Sequence, residues 1–438
     1  MAYAGVMASA PPRNTWKSPS RLGRYAALLP SAVVVGLATG LAVTGLRYLT
    51  TDVMWPWILN SSNPAVFVVP AIGVLMSGVI LRYFADRPDV HDAEAYLEAY
   101  HHDRRESLRS FVAKVAAATA TVGLGGAAGL EGPSLFIGST FGSWWSRRLG
   151  RLGLRRGEMR SLLVAGAAAG ISAVFKAPLT GLIFALEMPY TDDFAREALI
   201  PSMVASVTSY LVAIALLGPE PLFNVNRTYV PSVGNVLLAL ALGAIVGLAA
   251  RLFVLSMRAA ESIAERSRIN LVVRTGVGGV LCALFGLLSW KFFGSPLAVG
   301  SGYQLIDAAT AGTYVGVAAL VLFVLRGGAV VSTLGSGASG GSFVPLVSMG
   351  AIAGSAFEAF APSTGPLFPI VGMAAFLAAG NATPIAGAVF VAESTGAAGF
   401  VIPGLVAAAS AYVVSGGSTI SAHQRPSRRP FPEVDHDA

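Results

Sequence analysis

The chain predicts an all-α polytopic membrane protein with an internal duplication, and three observations carry that prediction. Composition comes first: 54% of the 438 residues are hydrophobic, only 12% are charged, and mean hydropathy is +0.66. No soluble globular domain has that balance. Second, between Arg326 and Arg425 the only formally charged residues are Glu358 and Glu393, so this stretch reads as successive apolar helices. Third, one short pattern occurs twice. Gly129-Leu130-Glu131-Gly132-Pro133, followed by Gly138, returns as Gly341-Ser342-Phe343-Val344-Pro345, followed by Gly350. A longer block trails each copy. Gly166, Pro178, Gly181, Phe184 and Glu187 align without a gap with Gly372, Pro384, Gly387, Phe390 and Glu393.

Residues 1–24 are expected to form a cytoplasmic tail, because Arg13, Lys17, Arg21 and Arg24 precede the first apolar run and no cleavage site follows a short apolar core. Two long apolar helices are predicted over 25–48 and 65–83, then a polar stretch over 87–106 with a short helix at 93–100. The segment 108–124 leads into the Glu131 turn, 133–145 is a short helix and 147–160 a basic loop. Segments 161–175 and 179–187 are hinged at Pro178. Each is shorter than the roughly 20 residues of an upright span, so both are tilted or broken. Segment 197–217 closes a first repeat over 25–218, and 219–232 is a Pro-containing linker.

The second repeat, 233–420, is predicted to run through 233–257, 272–293, 314–325, 343–357, 367–377, 385–391 and 400–414. Glu358 falls at the end of one of these, as a carboxylate near the membrane surface. The remaining 421–438 form a short charged tail with no regulatory domain expected after the membrane part. Interrupted helices at matching places of two halves point to a substrate site between the halves.

Several function classes drop out. The net charge of +7 reads as loop cations of the positive-inside rule, not as a nucleic-acid surface. Cys282 is the single cysteine, which excludes an intramolecular disulfide and a Cys-rich metal site. Of five histidines, His91, His101 and His102 share one stretch but show no metal-ligand spacing. No metal and no cofactor are expected. An intramembrane enzyme has no Ser-His, His-Glu-x-x-His or paired-Asp constellation to work with.

Glu131 is the candidate functional residue. A carboxylate deep in apolar chain is costly and marks a site. Pro133 suits the first turn of a helix, while Gly129 and Gly132 permit turns and close backbone approach. The reading is a helix N-terminus inside the membrane, whose free N–H groups and positive dipole end attract an anion. Glu131 is then the protein's own anion there, able to leave when protonated or displaced. The alternative is a Gly-Pro turn at the membrane surface with a solvated carboxylate. The second copy favours the first reading.

Taken together, the two motifs and the segments Ala177-Pro178-Leu179-Thr180-Gly181 and Thr383-Pro384-Ile385-Ala386-Gly387 resemble the CLC family of chloride channels and proton-coupled chloride exchangers. The resemblance covers roughly 25–420. It implies two inverted-topology repeats with broken and tilted helices, a homodimer with one pore per subunit, and a multi-pass place in the cell (inner) membrane. It implies that Glu131 gates the path and that Gly132, Ser342, Phe343 and Val344 surround bound anion. Gly129, Pro133, Gly341 and Pro345 would shape the helix ends. Backbone donors suit the task, since they offer partial charge without a cation that would trap chloride.

Three departures from the family's pattern matter. Arg87-Pro88-Asp89-Val90-His91 stands where a Gly-Ser-Gly-Ile-Pro motif is expected, so the serine at the inner gate is missing. A late tyrosine is absent near Ser421, and Tyr412 lies too early. Met188 stands where many exchangers carry an inner proton glutamate. Glu187 and Glu393, at matched positions, read as structural groups at helix ends. The expected function is transport of small inorganic anions, most of all chloride, weakly coupled or uncoupled to protons. The alternatives are a proton-coupled chloride antiporter, a fluoride transporter, and a non-transporting scaffold or sensor.

Overall fold

The structure, a computed structural model, describes residues 21–60, 64–150, 156–225, 229–361 and 365–427. Most of the expected N-terminal tail, with Arg13 and Lys17, lies outside the described residues, as do Arg151 and Arg155 of the basic loop.

Among the described residues the chain is a succession of helices. The first half contains α1 (Arg21–Arg47), α2 (Trp55–Asn60), α3 (Val69–Phe84), α4 (Asp92–His102), α5 (Leu108–Gly123), α6 (Glu131–Gly150), α7 (Arg156–Phe175), α8 (Pro178–Glu187) and α9 (Leu199–Leu217). A π-helical turn, Tyr48–Met54, joins α1 to α2. The second half contains α10 (Val233–Arg266), α11 (Leu271–Phe293), α12 (Tyr303–Thr310), α13 (Gly316–Leu334), α14 (Phe343–Phe357), α15 (Leu367–Asn381), α16 (Pro384–Thr395) and α17 (Val401–Ser415). Seven helical runs of the described residues are long and apolar enough to cross a membrane. Leucines and valines such as Leu211, Leu237, Leu248, Val277 and Val324 stay exposed on the outer helices, as a lipid-facing surface requires. Every residue of α15 is buried, so the central helices meet protein on all sides.

The duplication is visible in the packing. α6 crosses α7, and α14 crosses α15, with backbones in contact at the glycines that the two sequence copies share. A Cβ on Gly138 would lie 1.9 Å from the Gly166 carbonyl oxygen, and one on Gly350 would lie 2.2 Å from that of Gly372. Without strong apolar drive between helices in lipid, this closeness supplies the dispersion contact that holds them. The entry turns match too: Gly125 (φ 89°) and Gly337 (φ 95°) take the same left-handed step, open to glycine at no steric cost.

Glu187 and Glu393 tie the halves together reciprocally. Glu187, ending α8, accepts from the N–H groups of Ile385 and Ala386 at 3.1 and 2.9 Å, at the start of α16. Glu393, on α16, accepts from the N–H groups of Leu179 and Thr180 at 2.9 and 2.6 Å and from the Thr180 hydroxyl at 2.7 Å, at the start of α8. Pro178 and Pro384 open these helices and offer no N–H of their own. Each carboxylate therefore satisfies orphan donors of the other half's helix.

Several predicted boundaries are corrected. Arg147 and Arg148 belong to the last turn of α6, and Arg156 and Arg160 to α7, so the described parts of the basic loop, on either side of 151–155, are helical. The segment expected to end at 325 continues to Leu334. Arg326 looked like a helix end, yet it is completely buried and satisfied. The short helices α2 and α12 were not predicted, because six and eight residues make about two turns or fewer, too short a window for a periodic pattern to stand out.

Candidate anion site at the junction of the two repeats

Glu131 opens α6 and is 2% exposed. It sits where the two motif loops meet. Gly129 N–H donates to the Gly341 carbonyl at 2.9 Å, and Gly341 N–H donates back to Gly129 at 2.8 Å. This two-bond bridge sets the starts of α6 and α14 against each other. It leaves no room for side chains: a Cβ on Gly341 would meet the Glu131 carboxyl carbon at 2.4 Å. Val344 N–H, in the first turn of α14, donates to Glu131 Oε1 at 3.3 Å. Ser342 caps α14 without a side-chain hydrogen bond, so that helix start keeps free donors for a negative group. Glu131 Oε2 has no hydrogen-bond partner.

Phe343 is fully buried. Its ring lies 4.6 Å from Phe175, 5.1 Å from Phe184 and 4.9 Å from Phe390. Phe184 and Phe390 are equivalent positions of the two repeats, so one aromatic cluster seals the junction from both halves. Gly132, Pro133 and Pro345 lie in the buried first turns beside it.

Two buried cations that sequence reasoning did not single out flank the junction. Lys114 on α5 is 1% exposed, donates to the Val90 carbonyl at 3.1 Å and stands 4.9 Å from the Phe136 ring of α6. Arg326 on α13 donates to the Ala298, Gly300 and Ser301 carbonyls at 3.1, 2.8 and 2.7 Å and to the Ser348 hydroxyl of α14 at 3.2 Å. Each precedes its motif position, Glu131 or Phe343, by the same interval. The signal was available: a repeated cation inside apolar sequence.

On one side a small cavity reaches the junction, lined by Gly340, Gly341 and Ser342 together with His91, Ser421, Glu94 and Glu261. Of the residues assigned to the altered inner gate, His91 and Ser421 are therefore here. Pro88 is not among the lining residues. Its turn is anchored elsewhere, by Arg87 bound to Glu98 and Glu106. Tyr412 is also away from the junction, its hydroxyl bound to Thr191 and Asp192. Glu94 and Glu261 were not anticipated in the mouth. Met188 is buried at the end of α8 and carries no proton-exchanging group. No group of His, Cys, Asp and Glu suited to a metal occurs among the described residues.

Comparison with known proteins agrees with this geometry. A family model described as "Voltage gated chloride channel" matches residues 72–416. The chain is 29% identical over 410 residues to the H(+)/Cl(-) exchange transporter ClcA of Citrobacter koseri, covering 87% of this chain and 83% of the relative. The ClcA of Salmonella typhimurium is also 29% identical, with the same coverage. Among solved structures, a CLC-type fluoride/proton antiporter superposes with a TM-score of 0.79 at 22% identity, over 91% of this chain and 98% of that one. A slow cyanobacterial Cl-/H+ antiporter gives 0.77 at 23% identity, over 90% and 96%. The paired glycine motifs, the opposed helix starts and the match over most of the length lead to one conclusion: the chain is a multi-pass membrane protein of the voltage-gated chloride channel (CLC) family, whose members are anion transporters and channels rather than enzymes.

Proposed function

We propose that the protein carries chloride across the cell (inner) membrane through the junction of α6 and α14, with Glu131 as the gate. The observation that carries this reading is the buried hydrogen bond from Val344 N–H to Glu131 Oε1. An ionised carboxylate and a permeating anion compete for the same helix-start donors. Gly132, Ser342, Phe343 and Val344 offer backbone donors to the anion; Gly129, Pro133, Gly341 and Pro345 shape the helix ends around it. His91 and Ser421 border the inner mouth. Protonation removes the charge that holds Glu131 in place, so low pH opens the path. The test is chloride efflux from liposomes: wild type responds to pH and Glu131→Gln does not. A variant that keeps the wild-type response refutes the gate.

Proton coupling is weak or absent in this reading, because Met188 interrupts a relay of protonatable side chains toward Glu131. A second reading, proton-coupled chloride antiport, has its own observation: Glu94, Glu261 and His91 line the mouth below Ser342, and the ClcA relatives bear the name of exchangers. Uphill proton movement driven by a chloride gradient decides for antiport. Fluoride is the third reading, favoured by the absence of a serine at Pro88 and by likeness to a fluoride/proton antiporter. Efflux of fluoride against chloride at equal gradients separates these two. A scaffold or sensor leaks neither. The working unit is a homodimer embedded in the bilayer, with apolar side chains of both halves, such as Leu179 and Ile385 beside the reciprocal clasp, at the contact. A monomer by cross-linking and light scattering in mild detergent contradicts it.

A further inference from the structure

Away from the anion path, a cavity of about 420 Å³ opens between the end of α4, the end of α6 and the start of α7. Its position relative to the membrane follows from packing. Tyr25 and Leu28, at the start of α1, lie in one apolar cluster with Trp145 and Leu149 of α6 and Leu162 of α7. The cavity thus opens at the membrane face where α1 begins, which the basic N-terminal tail marks as cytoplasmic.

Three arginines line it: Arg105, Arg147 and Arg160. One acid, Asp103, shares the wall. No carboxylate among the described residues stands within ion-pair distance of any of the three guanidiniums. Two of them are nevertheless held. Arg147 donates to the Ser143 hydroxyl. Arg160 lies 5.1 Å over the Tyr100 ring, and that ring is fixed by its hydroxyl, bound to Glu197 at 3.2 Å and near Tyr190 at 3.3 Å. Cations that serve only to orient the chain need no cavity and gain nothing from being ordered around one. A volume of about 420 Å³ falls in the range of small-ligand sites, roughly 300–1,000 Å³. Planar guanidinium forks match phosphate oxygens, and several together match a group that carries more than one such oxygen.

We propose that this cavity binds a phosphate group, presented either by a soluble phosphate compound of the cytosol or by the headgroup of an anionic lipid. The full-length protein in detergent serves for both arms. Inorganic pyrophosphate is titrated calorimetrically. Dioleoylphosphatidylglycerol, against dioleoylphosphatidylcholine, is followed by native mass spectrometry. The arm that gives binding names the source. The test variant is R147Q/R160Q and the control R82Q/R148Q, which removes equal charge at two exposed arginines outside the cavity. The expected result is a loss of at least about tenfold in affinity for R147Q/R160Q, with the control within about twofold. Equal losses in both variants reduce the effect to diffuse charge and overturn the proposal. So does a wild type that binds neither probe. If R147Q/R160Q elutes as aggregate, R105Q, in the exposed segment after α4, takes its place with the same direction of effect.

Discussion

Replacing Glu187 by Ala tests the reciprocal clasp most directly. Glu187 is 4% exposed, and its two oxygens hold Ile385 and Ala386 N–H at 3.1 and 2.9 Å. The substitution leaves two donors at the start of α16 without a partner. Each bond to a charged acceptor contributes about 1.5–3 kcal/mol, while relief of the buried carboxylate's desolvation offsets part of the sum. The net loss is about 3 kcal/mol. Glu393 is only half-buried, so water replaces part of what Glu393→Ala removes, and the cost there is about 1–2 kcal/mol. Glu187→Gln keeps one acceptor oxygen but turns an amide toward a donor, which gives an intermediate loss of about 2 kcal/mol. Because both carboxylates join the same two helices, the double Ala variant loses less than the sum.

The assay is the half-life of monodisperse protein in mild detergent at elevated temperature, since unfolding of such a protein is kinetically controlled. The expected order of survival is wild type, Glu393→Ala, Glu187→Gln, Glu187→Ala. A Glu187→Ala protein that lasts as long as wild type refutes the clasp, and so does a Glu393→Ala protein that decays faster than Glu187→Ala.

Other outcomes follow from the same geometry. Glu131→Gln and Glu131→Ala give anion efflux independent of pH between about 4.5 and 7.5, a range that brackets a modestly shifted carboxylate; Glu187→Gln and Glu393→Gln keep the wild-type pH response, and the opposite pattern removes Glu131 from the gate. Gly166→Val, placed 1.9 Å from the Gly138 carbonyl, forces α6 and α7 apart and abolishes monodisperse expression, as overpacking of a tight contact costs about 1–3 kcal/mol or more; normal elution and heat resistance contradict that contact. Arg326→Met strands three carbonyl acceptors and destabilises by about 1–3 kcal/mol for each acceptor left unsatisfied, offset in part by removal of the buried charge, which thermal aggregation reads and which an unchanged profile contradicts. Finally, a cysteine introduced at Ser18 escapes an impermeant thiol reagent in sealed cells; labelling there reverses the predicted orientation.

Much of this protein was determined by its sequence alone. The charge-poor run after Arg326 forces helices on the chain, because lipid leaves backbone groups no partner except each other. The glycines copied between the repeats lie where helices cross in the structure, since only a residue without a Cβ tolerates a carbonyl at the distance found between Gly138 and Gly166. Glu131 announced itself as a lone carboxylate beside a helix-starting proline. Other features belong to tertiary structure. That Glu187 caps α16 and Glu393 caps α8, rather than each serving its own half, depends on how the repeats face one another, and no local pattern encodes that. Arg326 resembled the end of a span because an isolated arginine in apolar sequence is costly. It becomes tolerable only when the fold delivers the Ala298, Gly300 and Ser301 carbonyls to it. His91, Ser421, Glu94 and Glu261 come from three distant stretches and meet at one mouth only once the helices are assembled. Local chemistry chose the helices and their contact points. The partners of buried charges were chosen by packing, because a buried charge is satisfied by whatever the whole fold brings within reach.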